Sequence, residues 1–500
     1  MRSHRHSRRR DRLDDEAGTV RAPGAVTRLR ARRAAGASPA ALRWPLLALL
    51  LAASALCGAQ VLRDPQAEVL PGVVQAQLDP GYWIGRLRDA DRIVLDADAI
   101  AAHNARMRRV DPSLHDIEHL PPTLEAGQVQ AWIEAASPRP AAVLYDEAGE
   151  RGSARAIDRL VDALDMKGIP PAQVTRYGMV VRRADLRTFP THLHVFSAPG
   201  DRDIDRFQET ALFPGTPVVV VHRSRDRRWL FVLSETYAAW IEADAVAFGD
   251  KAEIFAHTRR IPFVVVTGAW VRTVHTRERP AVSELALDMG VRLPLAGWPA
   301  NEPLNGQHPG FGHAVELPVR GEDGMLEFVP ALIPHSADVA HGYLPLTKAN
   351  LIGQAFKFLG ERYGWGHRYN GRDCSGFVSE VLRSFGLVLP RNTGAQSRSP
   401  GLDGVAFGPD TGHDERLHVL GQSEVGDLLF LPGHVMMVIG RVDGDTWVIH
   451  DTAGISLLGG DGALRHYPLN GVVVTPVLPL MADATTATVD RLSAIRWIRP

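Results

Sequence analysis

Between residues 166 and 345 the apolar positions fall in short β-branched runs separated at close intervals by turn residues, a pattern that predicts small antiparallel barrels. Met179-Val180-Val181, His194-Val195-Phe196, Val218–Val221, Trp229–Val232 and Trp240-Ile241 form a first series. Phe263–Val266, Val271–Val274, Val291–Leu295, Ala314–Leu317 and Glu327–Val329 repeat the theme, so two tandem barrel modules are expected over 166–255 and 256–345. Trp229, Tyr237 and Trp240 could face a ligand, although such residues more often fill a small core. Upstream, residues 60–165 read as mainly helical, with segments opening at Pro80-Gly81-Tyr82-Trp83 and at Asp96-Ala97-Asp98. Pro121-Pro122 and Ser137-Pro138-Arg139-Pro140 interrupt them. This stretch carries no catalytic pattern and is expected to be a structural or docking module.

Beyond residue 346 the periodicity becomes α+β. Leu351–Leu359 predicts a helix leading to the turn Tyr363-Gly364-Trp365-Gly366. Phe377, Val378, Val381, Leu382 and Phe385 then share one helical stripe that Gly386 closes. A polar loop is expected over about 390–424, followed by strands at Asp427–Leu431, His434–Gly440, Thr446–His450 and Val472–Val477. Residues 481–500 read as a tail, with Trp497 and Ile498 available to dock on the body.

Composition narrows the function more by exclusion than by assertion. The 500 residues carry a net charge of −1, so there is no global basic field for nucleic acid. Charge is skewed only over residues 1–43, where twelve Arg face four acids and no apolar period appears. That segment is expected to be disordered. Residues 44–59 are apolar around Leu46–Ala53, shorter than the about 20 residues of a membrane-spanning helix, and end in small residues that include Ala53-Ser54-Ala55. They read as a signal peptide or a retained membrane anchor, which implies export to the periplasm or cell envelope. With no H-E-x-x-H, no spaced cysteine pairs and no phosphate-cradling glycine loop, neither a metal nor another cofactor is expected.

One residue carries the chemistry. Cys374 is the sole cysteine outside the apolar export segment, and it opens the amphipathic helix of 377–385. A helix N-terminus favours thiolate over thiol, while a lone cysteine elsewhere is commonly a buried packing residue. A nucleophilic cysteine needs a base and a group to orient that base. His434 opens an apolar strand after Pro432-Gly433, and His450 ends the partner strand. A three-residue loop at Asp443-Gly444-Asp445 sets His450 opposite Val438, on the face of His434. A two-residue loop separates the two rings unless a bulge restores the parity.

Taken together, Tyr363-Gly364-Trp365-Gly366, Asp373-Cys374-Ser375-Gly376-Phe377-Val378, Leu389-Pro390-Arg391-Asn392-Thr393, Gly426–Phe430 and His434-Val435 resemble an NlpC/P60 cysteine peptidase domain, covering roughly 346–480. A helical N-terminal part followed by two bacterial SH3-like barrels is similar to the multidomain members of that family. The resemblance implies a papain-like α+β core with Cys374 as nucleophile, His434 as base and His450 orienting it. It further implies a substrate site lined by Tyr363, Trp365, Asp373 and Ser375, with the acidic residue pairing a free peptide amine. The activity implied is cleavage between D-γ-glutamate and the following diamino acid in peptidoglycan stem peptides or muropeptide fragments. His367 departs from the family pattern, in which a second glycine usually follows Trp-Gly, and the hairpin between the histidines is long. Two other readings stay open: a muramoyl-alanine amidase or acyltransferase on the same fold, and an inactive wall-binding protein.

Overall fold

The computed structural model describes residues 64–499, so the basic extension of 1–43 and the apolar segment of 44–59 lie outside the described residues. Among the described residues no helix is long and apolar enough to cross a membrane.

The N-terminal helices are α1 (Pro80–Ile84), α2 (Ala97–Val110), α3 (Ala126–Ala136) and α4 (Ala154–Ala163). Asp96 caps α2 by accepting from the Ala99 amide at 2.9 Å. These helices do not form a separate module. Val73, Trp83 and Met107 join the core around the Cys374 helix, whereas Leu124, Val129 and Ile133 join the core of the first barrel.

That barrel comprises β1 (Arg176–Val180), β2 (Ala184–Arg187), β3 (Gln208–Leu212), β4 (Pro217–Arg223), β5 (Trp229–Leu233), β6 (Ala238–Glu242) and β7 (Val246–Phe248). They form one antiparallel sheet in the order β7-β1-β4-β5-β6-β2-β3. Trp229 and Trp240 are buried in its interior, while Tyr237 stands at its rim. After α5 (Lys251–Arg259) come β8 (Phe263–Val266), β9 (Trp270–Arg272), β10 (Ala286–Asp288), β11 (Arg292–Pro294), β12 (Gly312–Arg320), β13 (Leu326–Pro334) and β14 (Val339–His341). Here the strands divide into a three-stranded sheet β11-β8-β14 and the hairpins β9-β10 and β12-β13. They share one core, to which β3 and its following residue contribute Ala211 and Phe213.

The last part holds α6 (Lys348–Phe356), α7 (Cys374–Arg383), α8 (Thr393–Arg398), α9 (His413–Leu420) and a six-stranded antiparallel sheet. Its strands are β15 (Gly404–Ala406), β16 (Leu428–Leu431), β17 (His434–Val442), β18 (Asp445–Leu458), β19 (Leu464–Pro476) and β20 (Ala494–Arg496), in the order β15-β20-β16-β17-β18-β19. The stripe of α7 packs Phe377, Val378, Val381 and Leu382 onto Val435, Met437 and Ile449. At its end Gly386, with φ +84°, turns the chain where any Cβ would meet the Tyr343 ring at 3.0 Å.

Two expectations are corrected here. The polar stretch of 390–424 contains α8, β15 and α9 rather than a loop. These elements are short and polar because tertiary contacts hold them: Arg416 of α9 donates to the Gly408 and Leu492 carbonyls. The supposed tail contributes β20, which pairs with β15 on one side and β16 on the other. Ala494 and Ile495 are buried there, and three residues are too few to register as a strand in the periodicity.

Candidate active site

Cys374 is the first residue of α7, and Asp373 is its N-cap, accepting from the Gly376 amide at 2.8 Å. The sulfur is buried against the Thr393 hydroxyl at 3.5 Å and the Gly433 carbonyl at 3.9 Å. Burial, and then the adjacent Asp373 charge, push the thiol up to about 11. The resting side chain is therefore a neutral thiol, which corrects the thiolate expected from the helix dipole. The carboxylate cap already occupies the positive end of the helix.

The two histidines meet. His434 Nε2 lies 2.8 Å from His450 Nδ1, and His450 Nε2 lies 3.0 Å from the Thr475 hydroxyl. The turn at Asp443-Gly444 is a two-residue one, with Val442 facing Asp445, and this alone would put the rings on opposite faces. A bulge between Val438 and Gly440 restores the parity, so Val438 faces Val448 rather than His450. The helix α1 supports that bulge from outside: Trp83 packs on Trp447 with ring centroids 5.3 Å apart and fills the space where a Gly440 Cβ would sit. Burial lowers His434 to about 4 and, together with the neighbouring His434 ring, holds His450 well below its ordinary range. Both rings are thus neutral near pH 7. In the tautomers that leave a base toward the cysteine, His434 Nε2–H donates to His450 Nδ1, and His450 Nε2–H donates to the Thr475 hydroxyl. His434 Nδ1 then keeps its lone pair. Among the described residues no direct hydrogen bond joins Cys374 to His434. Gly433, which immediately precedes His434, holds the sulfur instead.

Residues 360–464 match the NlpC/P60 family, and residues 194–242 match an SH3 domain of the SH3b1 type. Residues 360–464 are thus an NlpC/P60 domain. NlpC/P60 proteins are cysteine peptidases, and the fold here is multidomain, with an SH3-like domain ahead of the catalytic one. A gamma-D-glutamyl-L-lysine dipeptidyl-peptidase of Bacillus cereus (strain ATCC 10987 / NRS 248) is 28% identical over 251 residues, which are 46% of this chain and 65% of that protein. A probable endopeptidase p60 of Listeria seeligeri is 48% identical over 52 residues, 10% of each chain. The matched part thus spans less than two thirds of these relatives. Among solved structures, an NlpC/P60 endopeptidase from Photobacterium damselae subsp. piscicida shares the fold with a TM-score of 0.65 at 18% identity, over 84% of this chain and 94% of that one.

Around the NlpC/P60 cysteine, the residues expected to line the substrate site divide into two kinds. Asp373 and Ser375 are committed to an internal network. Arg391 grips Asp373 with both terminal nitrogens, Nη2 to Oδ2 at 2.8 Å and Nη1 to Oδ1 at 3.1 Å, and also donates to the Ser375 hydroxyl at 2.9 Å. Burial opposes the Asp373 charge, but Arg391 and the Gly376 amide hold the carboxyl at about 2. Its charge is already matched, so it is poorly suited to pair a substrate amine. Tyr363 and Trp365 are half-buried. Burial, then the Cys374 and Asp373 charges, push the Tyr363 phenol far up, which keeps it a neutral donor. Trp365 donates from Nε1 to the Gln208 carbonyl of β3 at 3.1 Å.

Sequence reasoning missed what β3 brings. Glu209 accepts from the Thr188 hydroxyl at 2.5 Å and from the Tyr237 hydroxyl. Among the described residues it has no cationic partner. Glu209, Tyr237, Arg391 and Asn392 line a cavity of about 690 Å³, and the next residue, Thr393, touches the Cys374 sulfur. No local pattern announces Glu209, which lies 165 positions before Cys374. A second missed group is Asp451, beside His450. It is almost fully buried, and neither carboxyl oxygen has a partner among the described residues. Burial, then the Asp373 and Glu361 charges, push it up to about 9. Among the described residues no cluster of three His, Cys, Asp or Glu side chains is arranged to hold a metal ion.

Proposed function

We propose that this chain hydrolyses the D-γ-glutamyl–diamino acid amide bond of peptidoglycan stem peptides, with Cys374 as nucleophile, His434 as base and His450 as the group that orients it. The observation that carries this reading is the 2.8 Å His434–His450 bond next to a cysteine at a helix start. Because thiol and imidazole are both neutral at rest, His434 Nδ1 takes the Sγ proton as sulfur attacks the amide carbon. The Cys374 and Ser375 amides, first in α7 and without intrahelical acceptors, donate to the developing oxyanion. The imidazolium returns its proton to the leaving amine. Water, deprotonated by the same ring, then opens the thioester.

Glu209 supports a narrower substrate. A carboxylate that accepts only from neutral hydroxyls, in the lining of this cavity, suits a free N-terminal amine better than Asp373 does. A barrel wall beside the cleft leaves room for a short peptide rather than an intact wall strand. That the Bacillus cereus relative is a dipeptidyl-peptidase agrees with a substrate read from its amino end. We assign residues 166–255 and 256–345 as two SH3-like barrels, residues 60–165 as a helical region packed on them and on the catalytic domain, and residues 44–59 as an export segment. On this reading the enzyme acts in the periplasm or cell envelope.

Defined stem peptides with a free or an acetylated N-terminal alanine test the reading. The expected products are L-Ala-D-Glu and a new amine on the diamino acid, from the free peptide only. A new lactyl carboxylate on muramic acid would mark an amidase. Binding to purified wall without any cleavage would mark an inactive module.

A further inference from the structure

His367 is a histidine in a place that backbone sterics reserve for glycine. Its φ of +66° lies in the left-handed region, which costs an ordinary residue roughly 1 kcal/mol and persists where the surroundings impose it. What imposes it is a saturated set of hydrogen bonds. The ring is buried, and Nε2 lies 2.8 Å from Glu380 Oε1 while Nδ1 lies 3.0 Å from Arg391 Nη2 and 3.3 Å from the Thr210 hydroxyl of β3.

The chemistry of the partners fixes the tautomer. Although burial opposes it, Arg372 and His367 keep Glu380 ionised, and a carboxylate only accepts. Nε2 therefore carries the proton, and Nδ1 accepts from the guanidinium. A second proton on Nδ1 would face Arg391 directly. Burial, then the Arg391 charge, push the ring down to about 4, so it stays neutral.

Arg391 is the hub. Its Nε donates to Thr210 at 2.6 Å, its Nη1 to Asp373 and Ser375, and its Nη2 to Asp373 and His367. His367 thus ties Glu380, in the second turn of α7, back to Asp373, the cap of the same helix. The circuit closes around the N-terminus that carries Cys374. It also fixes the segment leading to Thr393, whose hydroxyl touches the sulfur.

We propose that His367 is a positioning residue for Cys374, acting through Arg391 and Asp373 and coupling the first barrel to the nucleophile. This rests on Cys374 being the nucleophile, as proposed above. The same circuit explains why β3 lies so tightly on the turn: Gln208 Nε2 donates to the Gly366 carbonyl at 2.8 Å, and a Gly366 Cβ would meet Gln208 at 2.9 Å.

The test compares His367→Leu with His367→Gln in the full chain. Leucine removes both ring contacts, whereas glutamine supplies one acceptor for Arg391 and one donor for Glu380. Two quantities are read per folded molecule: peptide cleavage, and alkylation of Cys374 by iodoacetamide as a function of pH. For His367→Leu the expected result is a kcat about tenfold lower with KM within about twofold, since misplacement acts on the reacting atom more than on binding. Alkylation should slow by about fivefold, with its midpoint moved upward, because a loosened Arg391 leaves the Asp373 charge bearing on the thiol. His367→Gln should recover both to within about threefold of the parent. Unchanged kcat and alkylation in the leucine variant would overturn the proposal. So would a glutamine variant as impaired as the leucine one at equal Tm, or losses that vanish once the folded fraction is counted. If the parent cleaves no γ-glutamyl peptide but the alkylation profiles move as described, the positioning role stands and the assigned reaction fails.

Discussion

His434 and His450 meet at 2.8 Å because Ile439 is an extra residue on their hairpin. Remove the bulge and a two-residue turn would aim one ring at each face of the sheet. Trp83, from a helix some 350 residues earlier in the chain, fills the space beside Gly440 and holds the bulge in shape. The geometry of the base is thus set partly by the N-terminal region.

Trp83→Ala should accordingly act on both stability and rate. Loss of a fully buried indole costs about 3–5 kcal/mol. Denaturant unfolding measures the first effect, and kcat/KM at a temperature where the variant is folded measures the second. A destabilised variant with the parent's kcat/KM would separate Trp83 from the histidine pair.

Cys374→Ala should abolish peptide cleavage, with a loss of at least about 10³-fold, while leaving the far-UV spectrum and Tm near those of the parent. The sulfur's hydrogen-bond partners are Thr393 and Gly433, and the substitution removes a single buried atom from the core. Cleavage by this variant at the parent rate would remove Cys374 from the mechanism.

The pH profile follows from which groups must be neutral. His434 works as the base only when unprotonated, and burial lowers it to about 4. Hence kcat/KM should stay flat from about pH 9 down to about pH 5 and fall only as pH drops through 4. An inflection near 6.5 would show that the ring titrates like an exposed histidine. Stability has its own sign. Between 6.5 and 4 the unfolded histidine binds a proton that the folded one refuses, so the fold loses stability as pH falls through that window. His434→Gln should flatten this part of the Tm–pH curve.

Asp451 gives the opposite slope. Its folded value of about 9 lies above the ordinary 3.8, so the folded state keeps a proton that the unfolded chain releases. Its contribution is full below 3.8 and is lost as pH rises toward 9. Asp451→Asn should match the parent's Tm at pH 4 and exceed it by a few degrees at pH 8. Equal Tm values at both pH settings would mean that the carboxyl ionises freely in the fold.

Much of the site was legible because it is written in local pattern. The stripe of α7, its glycine stop and the strand starting at His434 single out Cys374, His434 and His450 as candidates without a structure. The ionisation of Cys374 was not legible, because it depends on burial and on how Asp373 is spent. Arg391 appears in a motif, but its partners Thr210, Ser375, His367 and Asp373 converge only after β3 docks on the turn. Glu209 and the Ile439 bulge were invisible for related reasons. The first acts at long sequence range, and the second shifts a register without altering the hydrophobic pattern. The short elements of 393–420 and β20 draw their stability from neighbours rather than from propensity.

The place of β20 also makes the catalytic sheet the part of the fold completed last along the chain. It lies between β15 and β16, both earlier in the chain, and joins them. The barrels contain no strand from beyond residue 345, whereas the catalytic sheet is closed only by a segment that starts 60 residues past His434.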